Sequence, residues 1–158
     1  MTDMTKSPLR GNRERPLVMA HRGDSANTIE NTLSSISSAV DLGVDVVEID
    51  LRMTRDDNLA LFHDDSLKRL TGINKPVEAM NLDELQQVRL DSSSDLKYQR
   101  TEANSFSQRI PSLVEVFDAF PTVNFNMDIK SENSKAPEIL AELILQYEKQ
   151  EEVIVASF

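Results

Sequence analysis

Short apolar segments alternate with segments of helical periodicity along this chain, and that alternation constrains the fold more than any other feature. Short apolar runs predict buried strands, whereas apolar residues spaced three or four apart predict helices. Strands are expected at residues 17–20, 44–53, 59–63, 123–129 and 153–156, and helices at 28–42, 81–88, after Ser112 and at 136–150. Strands that alternate with helices form a parallel sheet covered by helices, so the predicted fold class is α/β.

One pair of strands departs from that pattern. The connection between 44–53 and 59–63 is shorter than the dozen or so residues that a parallel crossover needs, so these two strands are expected to form a hairpin. If Asp56 and Asp57 form a two-residue turn, His63 lies opposite Asp50 on the same face of the hairpin.

The 158 residues fit one domain of ordinary size. Residues 1–16 are polar and are expected to form a flexible leader, so the domain itself occupies 17–158. Residues 64–109 are polar, include the run Ser92-Ser93-Ser94 and contain one helical stretch, 81–88. We therefore expect an insertion between core elements at 64–109.

Charge and composition exclude several classes of function. The 27 acidic residues outnumber the 17 Lys and Arg residues and give a formal net charge of -10. Nucleic acids and anionic membranes attract clustered basic residues, so neither is an expected partner. No apolar run approaches the roughly 20 residues of a membrane span. The chain has no cysteine, which suits a cytoplasmic protein.

Polar side chains lie at or near the C-terminal ends of the predicted strands. His21 follows the first strand, His63 ends the hairpin, and Lys130 follows the strand that carries Asp128. No glycine-rich phosphate loop follows any strand, which disfavours an open doubly wound sheet. Barrels of alternating strands and helices place their active sites at the C-terminal ends of the strands, so a (β/α) barrel fits better.

Two acids interrupt one apolar strand. Glu48 and Asp50 are two residues apart and therefore point to the same face. Buried carboxylates need a positive partner, either Arg22 and Arg52 or a divalent cation, and carboxylate oxygens suit Mg²⁺ or Ca²⁺. Asp128 and Lys130 repeat the pattern on a later strand, as a third carboxylate for the ion and a cation for a phosphate.

The order and spacing of several motifs resemble the glycerophosphodiester phosphodiesterase family, within the wider superfamily of phospholipase C-like phosphodiesterases. These motifs are Val18-Met19-Ala20-His21-Arg22-Gly23, Ile29-Glu30-Asn31-Thr32, Val47-Glu48-Ile49-Asp50-Leu51, Thr54-Arg55-Asp56, Phe62-His63-Asp64, Ile110-Pro111-Ser112-Leu113 and Asn126-Met127-Asp128-Ile129-Lys130. The family usually has Glu where this chain has Asp128, and a turn glycine where it has Asp57. Aspartate tolerates positive φ better than most residues do.

The resemblance implies an eight-stranded (β/α)8 barrel of the TIM type that hydrolyses glycerophosphodiesters to glycerol 3-phosphate and an alcohol. It implies a divalent cation, Mg²⁺ or Ca²⁺, held by Glu48, Asp50 and Asp128, with Glu30 close by. His21 and His63 would act as general acid and base. The expected groups for the substrate and its phosphate are Arg22, Lys130 and Glu30.

Length is the main departure from the family. Eight-stranded barrels usually take about 250 residues, so this chain is expected to hold about the first half of one. A half barrel would expose an apolar sheet edge, which a second copy or another chain could cover. Two other functions stay open: a catalytically incompetent fragment that serves in assembly or ligand binding, and a related phosphodiesterase acting on phospholipids.

Overall fold

The architecture rests on one five-stranded sheet. A computed structural model describes residues 15–90 and 109–157. The strands are β1 (Met19–Ala20), β2 (Val46–Met53), β3 (Leu59–Leu61), β4 (Phe125–Ile129) and β5 (Val153–Ser157). Four of them are parallel in the order β1-β2-β4-β5, and β3 pairs with β2 in the antiparallel sense. The parallel α/β sheet and the hairpin predicted from the sequence are both confirmed.

The described residues form five α-helices, some of which begin at side-chain caps that the local sequence supplies. They are α1 (Leu33–Asp41), α2 (Lys68–Thr71), α3 (Leu82–Gln86), α4 (Leu113–Ala119) and α5 (Lys135–Gln146), with a 3₁₀ turn at Val77–Ala79. At α4, Ser112 Oγ accepts the N–H of Glu115, whose carboxylate accepts the N–H of Ser112. This reciprocal capping box confirms the predicted start of α4. Within the described residues, no helix has the length and apolar character needed to cross a membrane.

Helix α1 begins later than predicted. The sequence pattern indicated a helix from residue 28, but the N-cap is Thr32 and the first helical residue is Leu33. Asn31, just before the cap, has a φ of 54° and exchanges two hydrogen bonds with Asp50 of β2. A positive φ is incompatible with a right-handed helix, so this tertiary contact moves the start of the helix.

The predicted hairpin register is wrong by one residue. Leu51 pairs with Leu61, and the N–H of Phe62, rather than of His63, reaches the carbonyl of Asp50. Thr54 donates its N–H to the carbonyl of Asn58, so three residues form the loop, and the last of them, Asp57, has a φ of 58°. Three-residue hairpin loops commonly end in this left-handed conformation. His63 is therefore not opposite Asp50.

Two apolar clusters form the interior of the described part of the chain. The larger lies between the sheet and helices α1, α4 and α5. The smaller consists of Ala60, Phe62, Leu67, Val77, Met80, Leu85, Leu90 and Ile110, most of them within residues 64–109. This segment, which we expected to be polar, therefore packs an apolar cluster of its own beside the sheet. The serine run at 92–94 lies outside the described residues, as do residues 1–14 of the predicted leader.

The edge strands are less buried than their sequences indicated. Val18 and Met19 at β1 are exposed, as are Ile154 and Val155 of β5. These strands are the two ends of the order β1-β2-β4-β5, so within the described residues each pairs along one side only. The prediction that both were buried strands is wrong for that reason, whereas exposed apolar side chains at a sheet edge were expected of a half barrel.

Candidate active site

Three buried carboxylates meet on one face of the sheet. Glu48 and Asp50 alternate with apolar residues along β2, and Asp128 of β4 is the register partner of Asp50. One oxygen from each of the three side chains lies within 4.8 Å of the others. The three residues are 7%, 1% and 8% exposed, respectively. The structure thus brings together the three residues for which the sequence suggested a metal-binding role.

The chemistry of this carboxylate cluster (Glu48, Asp50 and Asp128) fits a divalent cation. Asp128 Oδ1 is buried and has no hydrogen-bond partner, an unfavourable state for a polar atom in the described structure. Burial and the charge of Asp50 raise the pKa of the Glu48 carboxyl above its ordinary value. A hard cation ligated by carboxylate oxygens would satisfy Asp128 Oδ1 and offset the repulsion between the acids.

Two cations flank the carboxylate cluster. The backbone N–H of Arg22 donates to Glu48 Oε2 over 2.8 Å, and its Nε lies 3.2 Å from Asp50 Oδ2 without the alignment of a hydrogen bond. Lys130 Nζ lies 2.5 Å from Asp128 Oδ2 and 3.6 Å from Asp50 Oδ1. The hydrogen bond to Asp128 raises the pKa of Lys130, so this side chain stays charged beside the cluster.

Arg52, the other arginine that could have neutralised the acids, does not do so. Its guanidinium lies 2.5 Å from Asp65 and 3.5 Å from Glu78, and its Nε donates to the carbonyl of His63. Together with Lys130 it lines a cavity of about 280 Å³, whose other walls are Asp65, Pro76, Glu78 and Glu132. This cavity adjoins the carboxylate cluster through Lys130.

The two histidines have different surroundings. The His21 side chain is 69% exposed, and its Nε2 lies 3.9 Å from Glu48 Oε2. The His63 side chain is 32% exposed, and its Nδ1 lies 2.7 Å from Asp64 Oδ1. An ionised carboxylate can only accept a hydrogen bond, so this contact assigns the proton of a neutral imidazole to Nδ1 and the lone pair to Nε2. His63 Nε2 is thereby the nitrogen that can accept a proton.

Glu30 stands apart from the three clustered carboxylates. It accepts hydrogen bonds from Arg22 and from Arg69 of α2. Burial alone would raise the pKa of Glu30, but the hydrogen bonds and charges of the two arginines outweigh it and hold the pKa below its ordinary value. Glu30 therefore orients the two arginines instead of belonging to the group of acids that could share an ion.

Sequence reasoning gave no role to Asn31 or Arg69. Asn31 is 2% exposed, and its amide bonds both the backbone N–H and the carboxylate of Asp50. Asn31 belongs to the motif Ile29-Glu30-Asn31-Thr32, and this motif was the sequence feature that could have indicated a role for it. Arg69 connects Glu30 with Asp64, and no local pattern predicts a contact between residues 39 positions apart.

Comparison with known proteins agrees with the geometry. The chain is 36% identical over 149 residues to a glycerophosphodiester phosphodiesterase from Caldanaerobacter subterraneus subsp. tengcongensis, a match covering 91% of this chain and 58% of the relative. It is 34% identical over 136 residues to the lysophospholipase D GDPD1 of Homo sapiens, covering 84% and 42% respectively. The chain thus spans about half the length of these curated relatives.

A solved structure shows the same architecture. The phosphodiesterase OLEI02445 of Oleispira antarctica, determined in complex with the product sn-glycerol-3-phosphate, matches with a TM-score of 0.71 and 30% identity. The match covers 90% of this chain and 57% of that protein. The predicted barrel-type α/β fold, present over about half of its usual length, is thereby confirmed.

A sequence model described as the glycerophosphoryl diester phosphodiesterase family matches residues 21–154, from the first histidine of the site into the last strand of the sheet. On this evidence the chain belongs to the glycerophosphoryl diester phosphodiesterase family.

Proposed function

We propose that this chain hydrolyses glycerophosphodiesters to glycerol 3-phosphate and an alcohol. The observation that carries the proposal is the buried carboxylate cluster with Arg22 and Lys130 at its sides. Anionic ligands for a divalent ion next to two fixed cations suit a phosphodiester, which carries one negative charge. The names of the bacterial relative and the product complex of the Oleispira protein support the same reaction.

Glu48, Asp50 and Asp128 would hold the divalent cation, Mg²⁺ or Ca²⁺. When bound, such an ion polarises phosphoryl oxygens and lowers the pKa of coordinated water. Asn31 holds Asp50 by two hydrogen bonds, one from its amide nitrogen to the carboxylate and one from the backbone N–H of Asp50 to its amide oxygen. The N–H of Arg22 orients Glu48. The ligands are therefore held in position before any ion arrives.

Arg22 and Lys130 would bind the phosphate oxygens. Both lie within 4 Å of carboxylates of the cluster, so a phosphate beside the ion would also be within their reach. Fixed charges of this kind stabilise the negative charge that develops on phosphoryl oxygens during hydrolysis. The cavity beside Lys130 offers room for the remainder of the substrate.

His21 and His63 would serve as general acid and base. His63 presents an unprotonated Nε2 because Asp64 binds its Nδ1, which suits a base in its neutral form. His21 lies beside Glu48 and is open to solvent, so it can exchange protons with a leaving alcohol or an entering water. Positioned acids and bases contribute about 10²- to 10⁴-fold to a rate.

A second substrate class is favoured by one observation, the name of the human relative, a lysophospholipase D. The same phosphodiester bond would then carry an acyl chain on its glycerol side. Three further expectations stay predictions: a second copy or another chain that covers the exposed edge strands, a cytoplasmic location, and the alternative that the chain binds ligand without turnover.

The direct test is hydrolysis of glycerophosphocholine and of lysophosphatidylcholine by the 158-residue chain, with Mg²⁺, Ca²⁺ or chelator. We expect choline release that requires the ion and that falls by about 10²-fold or more in His21→Ala. Faster turnover of the lysophospholipid would favour the second substrate class. Ion-dependent stabilisation of the fold without hydrolysis of either compound would contradict the proposed activity and support a binding role.

Ion binding should weaken as the pH falls. Burial and Asp50 raise the pKa of Glu48 above 4.5, so protons compete with the ion from that raised pKa downward. The folded state disfavours the charged carboxyl of Glu48. The ion-free fold therefore loses stability as the pH rises from 4.5, the ordinary pKa, through the raised pKa of the folded state. The rise in Tm caused by saturating Ca²⁺ should therefore be largest at neutral pH and shrink towards pH 4.5. A rise in Tm that does not change with pH would contradict proton competition at Glu48.

A further inference from the structure

Arg69 of helix α2 lies at the centre of a hydrogen-bonded bridge. Its Nε donates to Asp64 Oδ2 over 2.6 Å, and a second nitrogen contacts Asp64 Oδ1 at 3.2 Å. The same guanidinium reaches Glu30 by two further hydrogen bonds of 2.6 and 3.0 Å. One side chain thus binds both oxygens of two carboxylates that are 34 residues apart in the chain.

Each of those carboxylates contacts a residue of the candidate active site. Asp64 Oδ1 lies 2.7 Å from His63 Nδ1, and Glu30 Oε1 lies 3.1 Å from a guanidinium nitrogen of Arg22. Arg22 in turn binds Glu48 through its backbone N–H. Arg69 therefore connects the imidazole of His63 to the edge of the carboxylate cluster through contacts of 2.6 to 3.2 Å.

The planar guanidinium suits this position better than any other side chain. Glu30 and Asp64 are partly buried, with side chains 16% and 26% exposed, and they would repel each other without a cation between them. Burial acts to raise the pKa of Asp64, but the hydrogen bonds from Arg69 and His63 outweigh it and hold that pKa below its ordinary value. A lysine ammonium has no flat fork that could bind both carboxylates in this way.

We propose that Arg69 is a positioning residue that holds Asp64 against His63 and Glu30 against Arg22, and so fixes the tautomer and the orientation of His63. For catalysis the inference rests on the proposed hydrolysis, in which His63 exchanges a proton through Nε2. With Asp64 locked in place, Nε2 carries the lone pair and the imidazole has one orientation. Without Arg69, Asp64 can rotate away, and the imidazole loses both constraints.

The test uses the presence of only two histidines in the chain. Long-range ¹H–¹⁵N spectra at alkaline pH report the tautomer of each imidazole, and His21 serves as an internal reference. In the unmodified chain we expect His63 to be the Nδ1–H tautomer. Arg69→Met should convert it to a mixture of tautomers, as Asp64→Asn should, while the signals of His21 stay unchanged.

A matched control is Arg55→Met. Arg55 also bridges two elements, with hydrogen bonds to Asn81 and Glu84, but it contacts neither histidine. Its loss should leave the spectrum of His63 unchanged. Arg69→Lys keeps the charge without the fork, so we expect it to recover most of the Tm but not the single tautomer.

Kinetic measurements test whether the positioning of His63 by Arg69 contributes to hydrolysis. With glycerophosphocholine, Arg69→Met should lower kcat about tenfold to a hundredfold, the scale of a misplaced catalytic group. Added to Asp64→Asn, it should lower kcat by less than it does alone, because Asp64→Asn has already released the imidazole. An unchanged His63 spectrum in Arg69→Met overturns the positioning role. Absence of hydrolysis in the unmodified chain overturns the proposed function alone, since the spectra then still report on His63.

Discussion

Asp50→Asn is expected to abolish both ion binding and hydrolysis. Asp50 is 1% exposed and lies within reach of Asn31, Arg22 and Lys130, which makes it the most enclosed of the three clustered carboxylates. The amide removes one anionic ligand and leaves the two flanking cations with less negative charge to balance them. Loss of the several kcal/mol of charge stabilisation that a bound ion supplies corresponds to a rate lower by about 10³-fold or more.

Two measurements check this expectation. Added Ca²⁺ or Mg²⁺ should raise the Tm of the unmodified chain but not that of Asp50→Asn. Choline release from glycerophosphocholine should also be lower in Asp50→Asn than in the unmodified chain. Asp45→Asn is a suitable control, because Asp45 precedes the same strand and pairs with Arg15 instead of with the cluster. If Asp50→Asn keeps the ion-induced rise in Tm, the carboxylate cluster does not hold the ion.

Strand periodicity was sufficient to place two of the three clustered carboxylates together. Side chains two positions apart share a face, so Glu48 and Asp50 could be placed together from the sequence alone. Asp128 was predicted as the third carboxylate from the motif Asn126-Met127-Asp128-Ile129-Lys130. The observed register of β2 against β4 places it beside Asp50. Helix caps such as Ser112 were equally predictable, because their hydrogen bonds connect residues three positions apart.

The incorrect predictions depended on long-range contacts or on a loop length that the sequence left ambiguous. The start of α1 depends on Asn31, whose positive φ is accompanied by hydrogen bonds to Asp50 on another element. The hairpin register depends on whether two or three residues form the loop, and two adjacent aspartates did not distinguish these choices. For Arg69 no prediction was made from the sequence, because its contacts join two partners at different distances along the chain and no single window of sequence contains both.

Gly23→Ala is expected to destabilise the fold strongly. Gly23 has a φ of 75°, and a Cβ at this position would lie 2.5 Å from Ser35 Oγ and 2.6 Å from the carbonyl carbon of Ser35. Ser35 is buried in the first turn of α1, and its carbonyl accepts the N–H of Asp24, so the helix backbone cannot yield without losing that contact. The left-handed backbone costs about 1–2 kcal/mol and overpacking about 1–3 kcal/mol, which together lower the free energy of unfolding by about 2–5 kcal/mol.

Gly43→Ala separates the two contributions, because Gly43 also has a φ of 75° but a Cβ there would meet nothing within 4 Å. Chemical denaturation should therefore show a loss of about 1–2 kcal/mol for Gly43→Ala, the conformational contribution alone. Gly23→Ala should also weaken ion binding, since displacing residue 23 displaces the neighbouring N–H of Arg22 from Glu48. Equal losses of stability in the two variants would show that the close approach to Ser35 does not constrain this turn, and that the position of Arg22 is set by other contacts.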